Sequence, residues 1–130
     1  MKATFKKSER LCRKKIISDL FQQGTKDFCY PYKLIYNNIE DQTDSPVQIL
    51  ISAPKKFFKH AYQRNRIKRL TREAYRLNKS KLYTIISNRN LNCAISFVYI
   101  GREIHEFSFI ERKMKEILNR LCKHYEEDNS

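Results

Sequence analysis

From residue 55 to residue 81 the chain carries eleven Lys or Arg and a single acid, Glu73, and residues 55–77 hold neither Gly nor Pro. A breaker-free run of that length reads as a helix, irregular near residues 57–61, and it constrains the fold more than any other segment. At 100° per residue, Ile67, Leu70, Ala74 and Leu77 fall within an arc of about 80°, the side expected to face a core. Arg64, Asn65, Lys68, Arg69, Arg72 and Arg76 fall within an arc of about 140° on the other side, with Arg66 and Glu73 at its border. Solvated helix faces usually pair Glu with Lys at i, i+4, and here Glu73 alone offers that relief. Each uncompensated pair costs an isolated helix roughly a few tenths of a kcal/mol, so neutralisation is expected from outside. Arginine's planar fork suits phosphate better than a point-like ammonium does, and the Asn65 amide both donates and accepts.

The remaining composition agrees with an anionic partner. The 130 residues hold 27 Lys or Arg against 14 Asp or Glu, a net charge of +13. Such an excess points to nucleic acid. Length favours one domain over residues 1–130, and 41% hydrophobic with 12% aromatic residues is enough for a core. A second basic zone, residues 2–15, sets seven cations against Glu9, whereas residues 102–130 balance six bases with seven acids. In the C-terminal half, the longest charge-free stretch is residues 90–101, too short to cross a bilayer. Lys2, Lys6 and Lys7 are not followed by an apolar signal region, so the cytoplasm is the expected location and no membrane the expectation.

Several enzyme classes drop out. Gly24 and Gly101 are the two glycines, too few for a phosphate-cradling loop or a dinucleotide fingerprint. Cys12, Cys29, Cys93 and Cys122 form no CxxC pair, and His60, His105 and His124 lie at no zinc spacing, so free thiols are expected. Neither clustered carboxylates nor paired histidines are present to cut RNA. Glu40, Asp41 and Asp44 read as a solubilising turn, so no catalytic and no metal-ligating residue is assigned.

Ser8 reads as the N-cap of a first helix carrying Leu11, Ile16, Ile17, Leu20 and Phe21 and ending near Gly24. Residues 28–36 read as one aromatic-rich strand with Phe28, Tyr30, Tyr32 and Tyr36 on one face, and Pro31 favours an edge position or a late start. Residues 37–46 read as a loop and Val47–Ser52 as a buried strand. After the basic helix come an ambiguous stretch at 79–89, a β-prone stretch at 92–100 and a C-terminal helix over 107–125. The class is α/β (α+β), in the order αββαβα.

The segment Arg64-Asn65-Arg66-Ile67-Lys68-Arg69-Leu70-Thr71-Arg72-Glu73-Ala74 resembles the signature of the bacterial ribonuclease P protein component. The likeness extends to Glu9-Arg10-Leu11, Leu20-Phe21, Gly24-Thr25, Tyr36 and residues 52–56. It implies a small α-β sandwich with a central, mostly antiparallel sheet and a left-handed βαβ crossover, opposite to the hand that chain sterics favour. It also implies a subunit of an endoribonuclease that removes the 5′ leader from precursor transfer RNA. There the chemistry belongs to a catalytic RNA partner, with Mg2+ held mainly by that RNA and no obligate protein partner. On this resemblance Arg64, Asn65, Arg66, Lys68, Arg69 and Arg72, with Lys55 and Lys56, contact RNA, while Ile17, Phe21 and Tyr36 line the leader cleft. Ile17 departs from the aromatic usual in the family, Pro54 from a small polar residue, and residues 57–63 lack the usual glycine.

Two other readings stand beside this one. A noncatalytic RNA-binding protein, such as a ribosomal protein, shares the composition. A DNA-binding module would lay the helix in a major groove, but no dimerisation heptads accompany it. Single aromatics serve packing more often than base stacking, and stacking contributes about 1–3 kcal/mol per base.

Overall fold

The computed structural model describes residues 4–40 and 43–127. A 3-10 turn at Lys7–Glu9 precedes α1 (Lys14–Gln23), β1 (Thr25–Cys29), β2 (Tyr32–Asn38), β3 (Val47–Ser52), α2 (Ala61–Asn78), α3 (Ser80–Asn88), β4 (Cys93–Tyr99) and α4 (Phe107–Glu127). The strands form one sheet in the order β1-β2-β4-β3. The β1–β2 and β2–β4 pairs are antiparallel, and β3 runs parallel to β4. Thus α2 and α3 make the crossover of a βαβ unit.

The mixed class and mostly antiparallel sheet agree with expectation, but the order gains a strand and a helix. The strand expected over residues 28–36 is a hairpin, with Cys29 opposite Tyr32 and with Tyr30 and Pro31 at the turn. The Pro31 carbonyl accepts the Ile100 N–H at 2.7 Å, which ties the turn to the end of β4. The ambiguous stretch at 79–89 is α3.

Alternation along the strands builds two cores. Ile35 and Ala94, with half-buried Leu50, face α1, where Leu11 and Leu20 pack upon them with Ile16 and Ile17. On the other face Tyr32, Leu34, Val47, Ile49, Ile95 and Phe97 meet α2, α3 and α4. The last of these presents Ile110, Met114, Ile117 and Leu121 as one buried stripe. Among the described residues no helix is long and apolar enough to cross a membrane.

The N-terminal helix begins at Lys14, not Ser8. Arg10 and Leu11 lie along β3, where the Leu11 N–H donates to the Ile49 carbonyl at 2.8 Å and Arg10 bridges Ile49 in parallel. The reason is Glu9. Its carboxylate, 3% exposed, accepts from the Lys79 ammonium, the Tyr83 hydroxyl and the Lys6 N–H. The Tyr75 hydroxyl donates to Tyr83 at 2.8 Å. This buried pair fastens the N-terminal segment to the junction of α2 and α3, and a helix starting at Ser8 would carry Glu9 and Leu11 away from their partners.

Candidate nucleic-acid interface

The orientation of α2 decides which of its cations meet solvent. Its buried residues are Ile67, Thr71, Ala74 and Tyr75, whereas Leu77 is 46% exposed. The buried stripe is therefore rotated by roughly 60° from the apolar arc expected on pattern alone. A hydrogen bond holds the rotation. The Thr71 hydroxyl donates to the Ile67 carbonyl at 2.8 Å, so the proton between Thr71 and Tyr32, 2.6 Å apart, comes from the buried Tyr32 hydroxyl. Pattern reading scores Thr as polar and so misses it.

The rotation sorts the cationic run. Asn65, Arg66 and Arg69 are exposed, and Lys68 and Arg72 lie half-buried along one flank of the helix. Among the described residues none of Arg66, Lys68, Arg69 and Arg72 is in an ion pair. Glu73 is occupied by Arg76, and that bond holds its carboxyl below the usual range. Arg64 differs from its neighbours. Its guanidinium donates to the Phe58 and Lys59 carbonyls at 2.8 and 2.9 Å, closing the loop that enters α2. The Lys55 and Lys56 side chains are exposed on that same approach. Phe57 beside them takes the Lys56 ammonium 5.0 Å and the Arg102 guanidinium 4.1 Å from its ring centre.

The three residues expected in a cleft do not come together. Ile17 packs with the α1 side of the sheet, and Phe21, at the next turn of α1, is 42% exposed. Tyr36 lies on the opposite face, its ring 5.3 Å from His124 and 6.5 Å from Tyr125 of α4. Burial and the nearby Asp27 carboxylate raise its hydroxyl pKa. This placement follows from period two: Ile35, one position earlier, is the residue of β2 that faces α1.

The hairpin register supplies what the sequence reading missed. Lys26 pairs with Ile35 and Phe28 with Lys33, and directly opposed residues share a face. Phe28, 60% exposed, therefore lies on the α1 side with Lys26 and Lys33, while Tyr32 is buried on the other. Treating residues 28–36 as one strand carries the parity through the turn and merges the two faces.

Among the described residues no three His, Cys, Asp or Glu side chains gather as an ion site. The carboxylates that approach one another are already engaged. Glu116 and Asp27 share Arg120, and Glu116 also accepts from the Cys29 thiol at 3.0 Å.

Comparison with known proteins agrees with the arrangement. Residues 5–125 match the sequence profile of the family described as Ribonuclease P. The chain is 37% identical over 122 residues to the ribonuclease P protein component of Porphyromonas gingivalis, covering 92% of this chain and 89% of that protein. Against the component from Chlorobium phaeobacteroides it is 29% identical over 128 residues, covering 91% and 88%. Its fold is similar to that of the Staphylococcus aureus RNase P protein, with a TM-score of 0.70 at 19% identity over 88% of this chain and 95% of the other. The Thermotoga maritima protein gives 0.68 at 20% identity, over 86% and 96%. The cationic helix, the sheet that carries it and relatives matched along nearly all of its length place this chain in the ribonuclease P protein family, the protein subunits of the endoribonuclease that matures transfer RNA 5′ ends.

Proposed function

We propose that residues 1–130 act as one domain in the cytoplasm, docking the open cationic face of α2 on the catalytic RNA and holding the 5′ leader of precursor transfer RNA against the α1 side of the sheet. The observation that carries the docking surface is the set Asn65, Arg66, Lys68, Arg69 and Arg72, solvated wholly or in part and without an acidic partner among the described residues. RNA phosphates neutralise those charges and release their counterions, which stabilises the complex and makes it salt-dependent. Lys55 and Lys56 extend the surface towards β3, and Arg64 shapes the loop between them. No obligate protein partner enters this scheme.

For the leader, exposed Phe21 and apolar Ile17 supply the α1 side, and Tyr36 is withdrawn from the cleft. Ring stacking tolerates any base, as leaders of varied sequence require. The protein brings two polyanions together and lowers their repulsion. Phosphodiester hydrolysis is assigned to the RNA and to the Mg2+ it holds, and no step is routed through a protein-bound ion.

The test is reconstitution. Purified protein is mixed with a bacterial ribonuclease P RNA at magnesium too low for the RNA alone, and precursor cleavage is measured. Stimulated release of the leader at the mature 5′ end supports the proposal; no stimulation returns the chain to the class of noncatalytic RNA-binding proteins.

A further inference from the structure

Beside the flank of α2 that carries Lys68 and Arg72 lies a cleft at the edge of the sheet. Beyond Ile49 the N-terminal segment leaves β3 to enter α1, and a cleft of about 280 Å³ wraps the strand edge there. Its floor is apolar, formed by Leu11, Ile49 and Ile51 with Leu50 from the other sheet face. Three cations border it: Arg10 from the N-terminal segment, and Lys68 and Arg72 from the flank of α2. None of the three is in an ion pair among the described residues, and no acid lines the cleft.

We infer that this cleft binds one unpaired nucleotide of the partner RNA, its base on the β3 edge and its phosphates on Arg10, Lys68 and Arg72. The inference rests on the proposed docking of α2 on RNA and divides that helix between two tasks. Arg66 and Arg69 point away to meet backbone phosphates generally, while Lys68 and Arg72 hold a nucleotide whose base is out of its stack. An apolar floor beneath a cationic rim suits that ligand. A duplex presents phosphates without a free base face, and an apolar peptide leaves the rim unneutralised. The volume lies near the lower limit of about 300 Å³ for small-molecule sites, room for a single heterocycle.

Cys12 lies at the cleft and is exposed, whereas Cys29, Cys93 and Cys122 are buried. A photoreactive aryl azide is therefore attached to Cys12 of the unsubstituted protein, the complex with catalytic RNA is formed, and the crosslinked nucleotide is mapped. The expected result is a crosslink to a nucleotide that single-strand-specific probes find unpaired. Crosslinks confined to paired nucleotides, or none, overturn the inference. As a second measurement, Cys12→Trp fills the cleft and should weaken RNA affinity about tenfold; unchanged affinity counts against the cleft. Arg66→Ala with Arg69→Ala keeps the parent reading separate. If that pair still flattens the salt dependence while the cleft tests fail, docking through α2 stands and the nucleotide site falls; if neither affects RNA binding, both fall.

Discussion

Glu9 shows how far a single side chain directs the path of its neighbours. Burial pushes its carboxyl up, but the Lys6 N–H, the Lys79 ammonium and the Tyr83 hydroxyl together hold it below its ordinary value. A carboxyl depressed on folding contributes stability above its unfolded pKa and loses it as pH falls through the folded one. Thermal denaturation from pH 7 down to about pH 3 should therefore show a loss beginning below about 4.5, the ordinary value, and shallower in Glu9→Gln. Lys79→Met leaves the buried carboxylate without its counter-charge and should cost about 3–5 kcal/mol at neutral pH. A melting temperature unchanged in that variant would remove the clamp. Gly24 is demanding in another way. A Cβ there would stand 2.4 Å from the Leu20 carbonyl oxygen and 2.7 Å from Ile35 Cγ2. Gly24→Ala should destabilise by about 1–3 kcal/mol, measured by denaturant titration, because α1 must lift from the sheet.

At the scale of elements, α2 was legible as a helix from residue 61 on, whereas residues 55–60, equally free of breakers, form the loop before it; its polar face was legible from the arginines themselves. Its rotation was not. Thr71 and Tyr75 bury through hydroxyl partners on β2 and α3, and a pattern of apolar residues does not register such bonds. The single role given to the arginines likewise hid Arg64, whose partners are carbonyls of the preceding loop. Arg64→Ala should lower the melting temperature and the RNA affinity together, whereas Arg66→Ala should lower affinity alone. Differential scanning fluorimetry beside a binding titration separates the two, and equal melting temperatures would return Arg64 to the exposed face. The hairpin was missed because aromatic alternation reads the same on either side of a two-residue turn, and that lost turn put Phe28 on the face of Tyr32 and Tyr36; the cleft role of Tyr36 came from the family resemblance alone.

Across the whole molecule the sheet keeps two surfaces apart, one for each of the proposed tasks. Its α1 side stays partly open with Phe21 and Phe28 exposed, and its other side is sealed by three helices, of which α2 turns its cations outward. Phe21→Ala should weaken precursors with long leaders more than mature transfer RNA, while Tyr36→Ala, whose ring rests on α4, should lower stability without that preference. Leader-dependent affinity measurements decide, and equal losses on both RNAs in Phe21→Ala would withdraw the cleft. The most direct test of the account is the slope of log affinity for the catalytic RNA against log salt, compared between the unsubstituted protein and Arg66→Ala with Arg69→Ala. Each lost phosphate contact should flatten the slope by roughly 0.7–0.9, so the double variant should be shallower by about 1.4–1.8; an unchanged slope would mean that the open face of α2 does not meet the RNA.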